Sequence, residues 1–294
     1  MKSLSPAFTS SSPSRGFGLI ELMITMVLVV VVLGAVMLAF FRGSAQAQRL
    51  VNVADRRQSA RTAVQLVERE VRMAGSGWGR IPVYGNDGTG NPIIIQAVNP
   101  GCSTSAMDDS VTLVGAWGAS TSIKDAMPSS SSTLKVEDVT GFASGDLCII
   151  SNGSSANMLQ VTATNASSGN LQHNPASPYN DPGGHAADWH WPSGGYGVGS
   201  LVFKITMSTY YMDRTSFRKP VLMRRPFGGS PQVAAYNVDG FRVFYGLQNG
   251  TWTRKPKDMM SVEKVSPVVL TALRDPRRPA LIDSVWAVAQ PRVF

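Results

Sequence analysis

Several groups of residues in this 294-residue chain have the types and spacing to do chemistry. The three histidines, His173, His185 and His190, share one Gly/Pro-rich stretch with Asp181 and Asp188. His185 and His190 lie five apart with Asp188 between them, so a loop folded inward could present them to a metal ion. Metal sites favour tighter spacing with supporting contacts, so a surface loop with incidental histidines is expected and no metal is assigned. Tyr179, Trp189, Trp191 and Tyr196 lie in the same stretch, either as anchors for a sugar, a protein or a single strand, or as a small local core. Asp108-Asp109 and Glu137-Asp138 offer the hard oxygens that calcium takes, yet neither pair fits the spaced loop of an EF-hand. Cys102 and Cys148, the only cysteines, are too few for a four-thiolate zinc site and are candidates for one disulfide or for two independent buried thiols. The patterns G-x-S-x-G, H-E-x-x-H and G-x-x-x-x-G-K-[ST] are missing, so the expectation is a protein that is not an enzyme and takes no cofactor.

Glu21 stands apart from these groups. It is the single charge in the 25-residue apolar run from Phe17 to Phe41, which is long enough to cross a bilayer as a helix. A carboxylate inside such a segment costs a few kcal/mol unless it is paired or reaches the headgroups. Residues 1–16 are polar and basic, with Lys2 and Arg15, and the small residue Gly16 precedes the apolar run instead of following it. An ordinary secretory signal has a shorter apolar core and a small-residue cleavage site after it, so that kind of processing is not expected. Cleavage between Gly16 and Phe17 would place a new α-amino group four residues from Glu21, a cation at the right depth to pair with it.

The elements that must carry these residues follow from the pattern. Beyond Phe41 the chain turns amphipathic: Leu50, Val53, Ala60, Val64, Val67 and Val71 recur at helical spacing, with Arg57 in the gap. Glu68 and Arg72 form an i,i+4 pair, and Gly75-Ser76-Gly77 supplies a stop. One helix over 17–74 would be about 87 Å long at 1.5 Å per residue. Strands are expected at 92–96, 110–114, 133–136, 146–150, 158–162, 201–207, 208–212 (either separate or continuing the previous one), 238–245 and 284–289. Hydrophobic residues make up 43% of the chain and charged residues 16%, which suits a packed domain and excludes a disordered one. Charge is uneven: residues 75–200 hold three basic and nine acidic side chains, and residues 201–294 hold fifteen basic and six acidic. That basic third, with Arg224-Arg225 and Arg274 to Arg278, points to an acidic neighbouring subunit ahead of a phosphate backbone, since no nucleic-acid-binding motif accompanies it.

The run Arg15-Gly16-Phe17-Gly18-Leu19-Ile20-Glu21-Leu22-Met23 resembles the class III signal of the type IV prepilin and pseudopilin superfamily. The resemblance implies that a prepilin peptidase cuts between Gly16 and Phe17 and N-methylates Phe17, and that Glu21 is the assembly glutamate. The family usually has Thr where this chain has Gly18, a departure that leaves Gly16, Phe17 and Glu21 in place. Further segments resemble the PilW-type minor pilins and the related J-type minor pseudopilins. They are Gly145-Asp146-Leu147 through Gln160-Val161-Thr162, Thr209-Tyr210-Tyr211, Leu222-Met223-Arg224-Arg225, Val238-Asp239-Gly240-Phe241 through Tyr245-Gly246, and a closing strand within 280–290.

The implied fold class is α+β and type IV pilin-like, a long N-terminal transmembrane and amphipathic helix followed by an antiparallel β-rich globular domain. The expected organisation is a leader over 1–16, a transmembrane or filament-core helix over 17–41, its amphipathic continuation over 42–77, and an exported β-rich domain over 78–294 with a long loop at 170–200. The expected function is a minor pilin in assembly initiation or at the tip. Its partners would be other minor pilins, the major pilin, the prepilin peptidase and the inner-membrane assembly platform. The exported part is large for a subunit that stacks in thousands, and the apolar helix lacks proline. Two alternatives stay open: a minor pseudopilin of type II secretion, and a tip adhesin or DNA-uptake subunit using the 170–200 loop or the basic third. The expected location is the bacterial inner membrane, single-pass, with the C-terminal domain in the periplasm and later at the cell surface.

Overall fold

A computed structural model describes residues 18–78, 81–101, 107–130, 133–175, 177–181, 190–273 and 281–292. Helix α1 runs from Leu19 to Met73. By internal contacts the chain divides into two units, Met1–Ala54 and Asp55–Phe294.

In the first unit the helix opens at Gly18, whose carbonyl accepts hydrogen bonds from the backbone N–H groups of Glu21 (3.0 Å) and Leu22 (3.2 Å). The Thr25 hydroxyl donates back to the carbonyls of Glu21 and Leu22, both at 2.9 Å, so this polar side chain leaves no donor unpaired in an apolar setting. Every large apolar residue from Leu19 to Phe41 is more than half exposed within the chain.

The second unit is built on the last turns of α1. Ala60, Ala63, Val64, Val67 and Val71 are buried, at the three- and four-residue spacing of one helix face. The buried stripe begins at Ala60; Leu50, expected within it, is 65% exposed. The helix stops where Gly75 takes φ +80°, a left-handed conformation that favours glycine, and gives its N–H to the Val114 carbonyl at 2.9 Å.

Eighteen strands follow among the described residues. They are β1 Val83–Asn86, β2 Pro92–Ile95, β3 Val98–Gly101, β4 Ser110–Gly115, β5 Ser120–Ser122, β6 Leu134–Lys135, β7 Leu147–Ser151, β8 Ala156–Gln160 and β9 Ala163–Asn165. The remainder are β10 Asn170–Gln172, β11 Leu201–Lys204, β12 Thr206–Asp213, β13 Val221–Pro226, β14 Gln232–Ala235, β15 Gly240–Leu247, β16 Trp252–Thr253, β17 Val262–Leu273 and β18 Leu281–Trp286. Four sheets result, ordered β2-β1-β8-β7-β11-β5, β6-β10-β9, β14-β13-β12-β4-β3 and β16-β15-β17-β18. Every pairing is antiparallel except β1 with β8.

The stretch 201–212 is two strands. The chain leaves the six-stranded sheet after β11 and enters the five-stranded sheet at β12, with Ile205 at the crossing and its N–H on the Leu147 carbonyl. Residues 170–200 are not wholly loop either, since β10 pairs with β6 and β9 and buries Leu171.

The helix stripe meets Val111 and Leu113 of β4, Tyr210 of β12, Leu222 of β13, Phe241, Val243 and Tyr245 of β15, and Val265 and Val269 of β17 in one apolar cluster. Each fully buried valine or phenylalanine contributes about 1.5–3 kcal/mol. A second cluster packs Ile123, Met127, Leu134, Cys148, Ile150, Leu159 and Tyr196.

One charge sits inside the helix stripe. Glu70 is buried, and Arg224 on β13 donates its Nε to Glu70 Oε1 at 2.8 Å. Tyr210 lies beside the pair; burial first, then the Glu70 charge, pushes its hydroxyl pKa up. Removing one partner of such a pair strands the other. Glu70→Ala should therefore cost about 2–3 kcal/mol of stability. In chemical denaturation, the Glu70→Ala/Arg224→Ala double variant should lose clearly less than the sum of the two single losses.

Candidate functional site

Glu21 is exposed in the first turn of α1, surrounded along the helix by Leu19, Ile20, Leu22, Met23 and Ile24, all more than half exposed. No basic residue occurs between Gly18 and Phe41, so nothing on its own helix segment can neutralise it. A carboxylate at the N-terminal turn is favoured by the helix dipole, which stabilises it where it stands without removing the cost of desolvating it. Gly16 and Phe17, the expected cleavage and methylation residues, lie outside the described residues. The helix carrying Glu21 is long and apolar enough to cross a membrane, with a mean hydropathy of 3.0 in its most apolar window and none of that window buried.

The other sequence candidates are distributed as follows. Tyr196 is fully buried, donates its hydroxyl to Asn157 Oδ1 at 2.6 Å, and burial pushes its pKa up. Trp191 packs edge-on against it with ring centroids 4.9 Å apart. Gly195, at φ +78°, lets this turn approach so closely that an added Cβ would stand 2.1 Å from the Met127 carbonyl oxygen. Tyr196 is therefore a core residue of the second apolar cluster, and the half-buried Trp191 packs against that cluster. Tyr179 is half-buried against Phe227 at 5.2 Å, and Trp189 lies outside the described residues.

His190 is exposed and stacks on Tyr84 at 4.3 Å, while His185 and Asp188 lie outside the described residues. Asp181 is buried and accepts the Ser130 hydroxyl at 2.7 Å. Among the described residues no group of three or more His, Cys, Asp or Glu side chains is arranged to hold a metal ion.

The Asp108-Asp109 pair is used for structure. Arg214 grips Asp108 with its Nε at 2.9 Å from Oδ2 and its Nη2 at 2.5 Å from Oδ1. Asp109 is buried, accepts the Val243 N–H at 3.1 Å and the Arg254 Nε at 3.0 Å, and receives a second bond from Arg254 Nη2. With Arg224 on Glu70, three arginines of the basic third thus neutralise acids from earlier in the chain. Lys204 does the same for Asp146 at 2.6 Å. On the other acidic pair, Asp138 Oδ1 accepts the Thr140 N–H at 2.7 Å, and the Thr140 hydrogen bonds hold its pKa below the usual carboxylate range.

Among the described residues, the apolar helix with its one carboxylate is left without internal satisfaction. An N-terminal apolar helix ahead of an antiparallel β-rich domain is a type IV pilin-like architecture. Residues 11–37 match the family model described as the prokaryotic N-terminal methylation motif. That match supports placement in the type IV pilin-like superfamily and covers Gly16, Phe17 and Glu21. No curated protein and no solved structure matches the chain.

Cys148 carries a free thiol, fully buried on β7 between β8 and β11; Cys102 lies outside the described residues. Burial first, then the nearby Asp146 charge, pushes the Cys148 pKa up to about 12. The thiolate is the reactive form, so at pH 8 the folded protein presents almost none of it. In a Cys102→Ser chain, a water-soluble maleimide should leave Cys148 unmodified under native conditions and label it fully in denaturant, as read by mass spectrometry.

Proposed function

We propose that this chain is a minor pilin, a non-enzymatic structural subunit that takes part in initiating a type IV pilus or in its tip complex. The observation that carries the reading is the unsatisfied α1 segment: a methylation motif over 11–37, one carboxylate at Glu21, and apolar side chains exposed on every face. Such a surface is stable only in lipid or among the helices of other subunits. While in the inner membrane, the chain anchors a periplasmic β-rich domain. After cleavage, the methylated amine of Phe17 keeps its positive charge and neutralises the Glu21 of a neighbouring subunit as the helices bundle. Partners in this reading are the prepilin peptidase, the assembly platform, the major pilin and other minor pilins. The same N-terminal chemistry serves a minor pseudopilin of type II secretion, and the unit beyond Ala54 does not distinguish the two. An adhesin or DNA-uptake role draws less support, because Tyr196 and Trp191 pack inward and Arg214, Arg224 and Arg254 are already paired.

Mass spectrometry of the chain from native membranes should find a mature N-terminus at N-methylated Phe17. A chain that retains residues 1–16 beside an active prepilin peptidase overturns the reading. In sheared filaments, Glu21→Leu should lower incorporation by at least about tenfold, the factor that about 1.4 kcal/mol supplies, while membrane insertion and abundance stay at the wild-type level. Undiminished incorporation would show that Glu21 has no part in assembly.

A further inference from the structure

We propose that the free edge of β2 and the cavity beside it form a docking slot for an extended segment of a partner polypeptide carrying a lysine or arginine. The slot lies wholly within the Asp55–Phe294 unit and depends on no step of N-terminal processing.

The edge comes first. Among the described residues, β2 is the outermost strand of the six-stranded sheet and pairs with β1 alone. The Asp87 N–H donates to the Asn91 carbonyl at 3.1 Å, and antiparallel ladders alternate bonded and non-bonded pairs. Gly85 with Ile93 and Val83 with Ile95 are then the bonded pairs, which turns the Ile94 N–H and C=O away from β1. The neighbouring outward carbonyl, of Gln96, is taken by the Asn99 side chain at 2.8 Å, so the opening centres on Ile94. Ile93 and Ile94 are 38% and 48% exposed, and no charged residue lies between Pro92 and Val98. Exposed apolar edges are normally guarded by charge, a bulge or a covering segment, and this one has only Pro92 at its start.

The cavity then limits what can lie there. The consecutive residues 94–98 all line it. Ile94 and Ile95 end β2 and Val98 begins β3 in the five-stranded sheet, so the cavity lies beside the open edge at Ile94, where the chain bends from one sheet into the next. Trp78, Ile81, Met259, Val262 and Pro291 supply further apolar wall, and Glu263 supplies a carboxylate. The volume is about 90 Å³, well below the roughly 300–1,000 Å³ of small-molecule sites, and suits one side chain. Glu263 is half-buried and forms no ion pair among the described residues.

An added strand meets both demands at once. Its backbone bonds to Ile94, and one alternate side chain enters the cavity. A lysine or arginine there lays its methylene stem on Trp78, Ile81 and Met259 and brings its charged head to Glu263.

The test uses the full-length chain in lipid nanodiscs, panned against blocked nonapeptides in which Thr and Val alternate around one randomised central position. The wild-type chain should enrich central Lys and Arg about tenfold over Glu and Leu. Glu263→Lys should reverse that preference toward Glu and Asp, a result that a merely misfolded variant cannot give. N-methylation of the amides flanking the central residue should abolish retention. Equal recovery of all central residues, no retention at about 1 mM peptide, or an unchanged preference in Glu263→Lys would overturn the proposal. None of these outcomes bears on cleavage at Phe17, so the slot and the minor-pilin reading fail separately.

Discussion

Water cannot be the solvent of residues 19–41. An α-helix hides its backbone polar groups but not its side chains, and here those side chains are apolar on every face. At about 25 cal/mol per Å² of apolar surface, leaving them wet costs tens of kcal/mol, more than the whole net stability of an ordinary domain. The segment must therefore stay in lipid or pass directly into a bundle of similar helices. Against that background Glu21 stands out: it is the one charged side chain along the segment, a carboxylate that apolar packing leaves unmatched. Greasy helices can slide along one another, but a buried charge pair sets a register.

The far end of the same helix answers to a different environment. From Ala60 onward the polar residues retreat to one side and the small apolar ones face the sheets. The exception, Glu70, is tolerated because Arg224 arrives from β13 to meet it. The chain thus uses a carboxylate in an apolar setting twice. At Glu70 the partner is built in, and at Glu21 no basic residue of the described segment is within reach along the helix.

The helix and the strands rich in β-branched residues were legible in the sequence because their periodicity is local. The 25-residue apolar run, β4, β7 and β8 each declare themselves within a short window. β17 did not, although it is the longest strand, because Pro267 interrupts it. Proline is tolerated there because its carbonyl still accepts the Ala287 N–H at 3.4 Å, and only the opposite bond of that pair is forgone. β1, β13 and β14 were also missed; they owe their strand state to neighbours. Glu21 drew notice in the sequence as the single charge of an apolar run. Asp108 and Asp109 stood out as an acidic pair, but their structural role did not, since their arginine partners lie 106 and 145 residues away and leave no short-range trace.

Three acid–arginine pairs of the β-rich unit, those of Asp108, Glu70 and Asp109, span 106, 154 and 145 residues, and in each the acid is made first; in Arg57–Asp283 the order is reversed. A chain emerging N-terminus first exposes Glu70, Asp108 and Asp109 while Arg214, Arg224 and Arg254 have yet to appear. The apolar cluster that surrounds Glu70 draws on β13, β15 and β17, so it cannot close before the last third of the chain exists, whereas the cluster around Tyr196 uses no residue beyond Val202. Completing the cluster on the helix stripe therefore closes long loops, the slow regime for β-rich topologies. The order of the strands thus sets a sequence of events: the cluster around Tyr196 has all its residues early, and the cluster on the helix stripe is completed only by the C-terminal third.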